Sequence, residues 1–197
     1  MPLEENYAIW EVSMSDEFII RHSSPTLAGL KTGNLFNCPY SGKEELLLSL
    51  RSLNRRLAPK GVRVVPMKLL GNNKVLLYIY RPSRLEQDFA EQKIAGMLEE
   101  YGYSVDKPGK CVAELSQRIY SSDTFPHEIG LFLSYPFEDV CGFINNPGEG
   151  CKCTGYWKVY GNEQKARRQF EEYQKCTNSY CAQAAKGRSI EQLTVTG

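Results

Sequence analysis

Histidine is nearly missing from this chain: among 197 residues only His22 and His127 carry an imidazole. Imidazoles titrate near neutrality and are the commonest acid–base groups, so chemistry of that kind has two places to sit. No apolar run approaches the roughly 18–20 residues that a membrane-spanning helix needs. Charge of one sign is not in excess either. The 24 basic and 23 acidic residues leave a formal +1, without the basic surplus expected of a duplex nucleic-acid binder. Neither G-x-x-x-x-G-K-[ST] nor G-x-G-x-x-G occurs, which disfavours nucleotide binding by those routes. There is no C-x2-C pair, no G-x-S-x-G elbow, no internal repeat and no low-complexity tract. The opening Met1-Pro2-Leu3-Glu4-Glu5-Asn6 is acidic and lacks a following apolar stretch, so no secretory signal is expected.

What is present reads as an ordinary globular chain, 42% hydrophobic and 24% charged, long enough for one sizeable core. The seven cysteines (38, 111, 141, 151, 153, 176 and 181) are odd in number and come without an export signal. That pattern predicts free thiols, a reducing interior and a cytoplasmic location, with no membrane and no nucleic acid as partner.

Along the chain, residues 4–12 alternate weakly and read as a short strand or arm. Ser15 predicts an N-cap for a helix through Phe18, Ile19 and Ile20 that ends before Pro25. Residues 23–36 read as an ordered connection laid over the core. Leu46, Leu50, Leu53 and Leu57 form one face of a helix over 42–58, capped by Ser41 and stopped by Gly61. Strands at 62–65 and 74–80 flank Gly71-Asn72-Asn73 as a hairpin. Ser83 and Glu86 form a capping box for one helix to about 101. Another helix covers 109–121, a buried strand lies within Phe125–Leu133, and a helix covers Pro136–Asn145. A strand at 156–160 precedes a long helix over 162–186. The expected fold is α+β: one domain over 1–197, a mixed or largely antiparallel sheet of about four to five strands, and packed helices. Residues 1–14 would form an N-terminal arm and 187–197 a loosely packed tail.

Several side chains invite chemistry. His127, at the mouth of the expected strand, suits a general acid or base, with Glu138 or Asp139 as a carboxylate to orient it; strand alternation would point Glu128 the other way. A core-edge histidine bonded to a backbone carbonyl is the plain alternative. His22 beside Ser23 could form a base and a nucleophile, or simply end a helix. Cys38, just upstream of the helix at 42, could be a helix-activated thiolate or a packed thiol. Cys151 and Cys153, with Cys176 further on, are the best metal or cluster ligands, although C-x9-C-x-C and C-x4-C are weak spacings. Arg81 and Arg84 bracket a strand-to-helix junction where two guanidinium forks could hold an anion. The sequence names no cofactor.

The order Ser24-Pro25-Thr26-Leu27-Ala28-Gly29-Leu30-Lys31, Asn34-Leu35-Phe36, Tyr78 to Pro82, His127-Glu128-Ile129-Gly130-Leu131-Phe132-Leu133, Tyr135-Pro136, Glu138-Asp139-Val140 and Gly155-Tyr156-Trp157-Lys158-Val159-Tyr160-Gly161 resembles the family called domain of unknown function 3793. The resemblance covers nearly the whole chain. It implies a small protein of mainly anaerobic Firmicutes with iron-uptake and flavodoxin genes as neighbours, and it brings no catalytic residue. Lys31 and Asn34, within its first motif, join Arg81 and Arg84 as ligand-binding candidates. Ser134 and Ser23 stand where the family commonly has glycine and cysteine. The functional expectation is a small enzyme with a His-centred site and a nearby Cys or Ser nucleophile. Its alternatives are a metal, iron–sulfur or haem-related binder in iron or redox metabolism, or a non-catalytic interaction domain.

Overall fold

Ser15 accepts a hydrogen bond from the Phe18 amide and opens α1 (Asp16–Leu27) in the computed structural model, which describes residues 14–122 and 124–197. The strand or arm read at 4–12 lies outside the described residues. Helix α1 does not stop at Pro25 but runs through it. Pro25 removes one bond to the Arg21 carbonyl, and Arg21 is exposed, so water can take that acceptor. Burial of Ile19, Ile20 and Leu27 outweighs the local preference, as tertiary packing often does. Gly29, at φ +73°, turns the chain out of the helix, and the Leu30 and Lys31 amides both donate to the Pro25 carbonyl. The remainder of the segment expected to be an irregular connection is a strand, β1 (Gly33–Pro39).

Helix α2 (Lys43–Leu57) buries the leucine stripe, but it opens at Gly42 without a side-chain cap, so Ser41 does not cap it. After a 3-10 turn and Gly61, β2 (Arg63–Leu70) and β3 (Lys74–Tyr80) form the expected hairpin, with Asn72 and Asn73 at positive φ. The sheet order is β1-β3-β2, antiparallel throughout, and Pro66 sits on edge strand β2 beside a register shift. The single helix expected over 83–101 is two, α3 (Pro82–Phe89) and α4 (Gln92–Glu100). Pro82 occupies the first turn, so Arg81 holds the cap position and Ser83 does not. Then follow α5 (Pro108–Ser121), α6 (Ile129–Phe132), α7 (Phe137–Asn145), the ribbon β4 (Cys153–Thr154) and β5 (Lys158–Val159), α8 (Glu163–Ala184) and α9 (Ile190–Leu193). The fold is α+β. Among the described residues its five strands divide between a three-stranded sheet and a two-stranded ribbon, rather than forming one sheet. No described helix is long and apolar enough to cross a membrane.

Strand β3 divides the core. Val75, Leu77 and Ile79 face a cluster with α1, α2 and α9, whereas Leu76, Tyr78 and Tyr80 face one built from α3 to α7. A third cluster, around Trp157, Val159, Ala166 and Tyr173, lies between the ribbon and α8. The C-terminal stretch is not a loose tail: Ile190, Leu193 and Thr194 are buried, and the Val195 amide donates to the Leu27 carbonyl at 3.1 Å.

Arg56 fastens that end by pairing with both Asp16 and Glu191. Its hydrogen bonds hold the Glu191 carboxyl at about 2, below the ordinary 4.5. A depressed carboxyl stabilises above its unfolded pKa and ceases to as pH falls through the folded one. The stability gap between the native chain and Glu191→Gln, about 1 kcal/mol for such a half-exposed pair, should therefore be constant above pH 5. It should close between about 4.5 and about 2 in urea titrations.

Candidate functional site

The run from Phe125 to Leu133 is not a strand. Successive i to i+3 bonds, Ile129 to Pro126, Gly130 to His127 and Leu131 to Glu128, wind it into a turn that becomes α6. All four residues of α6 are buried, and a continuous apolar run suits a short helix buried on every side as well as a strand. The tight curvature requires Gly130, because a Cβ there would stand 2.7 Å from Val140 Cγ2. His127 and Glu128 do point apart, but the turn causes it: His127 is exposed, while Glu128 is buried and accepts from the Tyr103 hydroxyl at 2.8 Å. Burial first, then that bond, pushes the Tyr103 hydroxyl far above its ordinary range. Ser134 follows at φ +50°, a left-handed turn that explains why glycine suits this position, and its Oγ accepts from the Thr32 amide at 3.0 Å.

Pro136 then sets the entry to α7, whose Asp139 fastens the ribbon. Its Oδ2 accepts from Trp157 Nε1 at 2.7 Å, and its Oδ1 accepts from the Tyr160 and Gly161 amides, each at 2.7 Å. Tyr160 packs so closely on Gly142 that a Cβ there would meet its ring at 2.4 Å. Between the His127 turn, α7 and the ribbon lies a cavity of about 200 Å³. Ile129, Gly130 and Val140 form its floor, and Phe125, Tyr135, Phe143 and Trp157 its aromatic walls. Tyr135 stacks on Trp157 at 4.8 Å, and the His127 ring meets Phe143 edge-on at 4.8 Å. Lys158 also lines the opening, its Nζ 5.4 Å over the Phe143 ring and donating to the Pro147 carbonyl at 3.1 Å. Asp139 has its oxygens committed to three donors, so His127 and Lys158 are the polar groups left to meet a ligand. Such a site can enclose an apolar body and address a polar or anionic head.

The other predicted residues lie elsewhere. Cys38 is buried in the α1–α2 cluster, across β3 from the cluster that backs the cavity, and burial pushes its thiol up to about 11. It sits on β1, not at a helix end, so no helix terminus activates it. Ser23 is fully enclosed and donates to the Ile19 carbonyl at 2.6 Å. His22 stacks on Phe36 at 5.2 Å and lies tilted against Phe18 at 4.4 Å, and burial, then Arg21, lowers its pKa. Glu138 is exposed in the first turn of α7, packed near Gly161, while its neighbour Asp139 reaches the cavity. Neither Cys38, Ser23, His22 nor Glu138 lines the cavity with His127.

Arg81 is buried and its guanidinium is committed to the Thr26, Leu27, Val195 and Lys60 carbonyls. Arg84, half-buried on α3, is not part of that clamp. Asn34 Oδ1 accepts from the Thr26 hydroxyl at 2.6 Å, tying β1 to the end of α1. Lys31 is buried, with Nζ 5.1 Å over the Tyr135 ring and 6.0 Å from that of Tyr173. Cys151 and Cys153 sit on or beside the ribbon, and Cys176 on α8, its thiol pushed up to about 11 by burial and then Glu172. Among the described residues no group of three or more His, Cys, Asp or Glu side chains converges to hold a metal ion.

Sequence reading found the His127 neighbourhood but not Tyr135, Phe143, Trp157 and Lys158 as its walls. The signal available was the two aromatic-rich motifs around 135 and 157, read there as a helix entry and a strand and as marks of the family resemblance. A family model described as "Protein of unknown function (DUF3793)" matches residues 19–194. No curated protein and no solved structure matches the chain.

Proposed function

The chain belongs to the DUF3793 family, whose description names no activity, and we propose from the geometry that it binds a small molecule with a ring-sized or short-chain apolar body and an anionic head. The observation that carries this is the aromatic cavity of about 200 Å³ with His127 and Lys158 at its opening. Aliphatic cavities of about 150 Å³ hold benzene, so there is room for one ring and a substituent. Burying roughly 200 Å² of ligand at about 25 cal/mol per Å² gives about 5 kcal/mol before association costs, which places affinities in the millimolar range or weaker.

Trp157 provides its own reporter. In a Trp10→Phe chain it is the remaining tryptophan, since the sequence has two. Titration with benzoate, hexanoate and indole to about 10 mM should change its emission saturably with at least one of them. Phe143→Ala should weaken all binding, and Lys158→Met should weaken benzoate and hexanoate but not indole. No saturable change with any probe, in protein whose circular dichroism is intact, would sink the reading.

A second reading keeps His127 as a general acid or base, and one observation favours it: no hydrogen bond from a described residue ties the imidazole, which stands exposed at the opening of an apolar site. On that reading the attacking group comes from substrate or water, because among the described residues no serine, threonine or cysteine lines the cavity. A metal, iron–sulfur or haem-related role would need donors to converge from separate elements, which supports it less.

A further inference from the structure

Lys31 stands on the turn between α1 and β1, and the residue is only 3% exposed. Tyr135, from the corner before α7, and Tyr173, from α8, are the titratable groups whose rings face its amine. Among the described residues it has neither a hydrogen-bond acceptor nor a carboxylate partner. The neighbouring Thr32 hydroxyl donates to Asp88, and Arg84 and Glu172 act on Tyr173. No wholly enclosed side-chain nitrogen or oxygen among the described residues lacks a hydrogen-bond partner. The unpartnered Lys31 nitrogen therefore keeps a small opening to solvent.

This environment selects a chemistry. Burial alone lowers the amine from 10.5 to about 7, so much of it carries a free lone pair at neutral pH. Ring faces favour the ammonium, but Tyr173 at 6.0 Å lies at the limit of about 6 Å for that attraction, and with Tyr135 at 5.1 Å it offsets only part of the burial. A desolvated, uncharged lysine in an aromatic enclosure is a nucleophile. Carbon dioxide would leave an anionic carbamate with no partner there. Condensation with a carbonyl leaves a neutral imine and suits the enclosure better.

We propose that Lys31 is a nucleophilic amine that condenses with a small aldehyde or ketone. The nitrogen lone pair forms a bond to the carbonyl carbon while the carbon–oxygen π pair moves to oxygen. The resulting carbinolamine loses water, its two hydrogens having come from the amine, and a C=N bond remains. No oxidant or reductant takes part. Tyr135 is shared with the His127 cavity, but the amine is not among the groups lining it, so this site does not depend on the ligand proposed there.

The test traps the imine in the native full-length protein. Substoichiometric propionaldehyde and cyanoborohydride at pH 7 convert reacted amines to stable propyl derivatives, located by peptide mapping. Lys31 should be labelled at least tenfold faster than exposed Lys43 and Lys107. That preference should disappear at pH 10.5, where ordinary lysines are also deprotonated. Labelling of Lys31 no faster than Lys43 and Lys107 at pH 7 would overturn the proposal. A Lys31→Met chain should lose the fast label, and the native map decides even if that variant does not fold.

Discussion

Arg81→Met should lower stability by about 4 kcal/mol. The Arg81 guanidinium donates to Thr26 O at 2.7 Å, Leu27 O at 2.7 Å, Val195 O at 2.8 Å and Lys60 O at 3.3 Å. Two of these acceptors are carbonyls in the last turn of α1, which also accept from the Gly29 and Val195 amides; one belongs to the turn after α2, and one to the C-terminal stretch. One side chain thus closes three chain segments onto the end of β3. Charge-assisted bonds contribute about 1.5–3 kcal/mol each, but methionine also removes a buried charge without a carboxylate partner and recovers its desolvation cost. The net loss is therefore smaller than the sum. Arg81→Lys should recover less than half, because an ammonium has a compact head and cannot span acceptors that a planar fork reaches. Urea midpoints at pH 7 decide it: a loss below about 1 kcal/mol would show that water replaces the clamp.

The same residue shows what the sequence could and could not disclose. Arg81-Pro82-Ser83-Arg84 reads as an anion-binding corner because donors beside a helix start are visible in sequence. The carbonyls that consume them come from residues 21 to 114 positions away. Periodic and local signals were legible: the leucine stripe of α2, the Asn72-Asn73 hairpin, the Ser15 cap and the long α8. The apolar run at 129–133 was not, because hydrophobicity without a period fits a strand and a buried turn of helix equally. Of the site, His127 was marked by its rarity, whereas Asp139 gains its role only from the Trp157, Tyr160 and Gly161 donors. Lys31 was visible as a motif residue, but nothing local marks a lysine for burial.

Burial of that lysine should make the chain less stable than its Lys31→Met variant at neutral pH and below. A fall from 10.5 to about 7 is about 5 kcal/mol of penalty on the folded, charged form. Methionine keeps the apolar stem and forfeits the two ring contacts, about 1 kcal/mol each, leaving a gain of about 3 kcal/mol below pH 7. The sign follows from proton binding. Between about 7 and 10.5 the unfolded chain holds a proton that the folded chain has released, so native stability rises with pH by up to about 1.4 kcal/mol per unit. Methionine does not titrate, so the variant's advantage must shrink across that window and vanish or reverse above it. Burial pushes the Tyr135 and Tyr173 hydroxyls to about 12, so they do not titrate within it. Urea denaturation of both chains at unit steps from pH 6 to 10 measures the difference and cancels groups common to both. A gap that stays constant with pH would mean that the folded amine holds its proton through neutrality. A gap that closes shows it uncharged near pH 7, the state in which its lone pair can attack a carbonyl carbon.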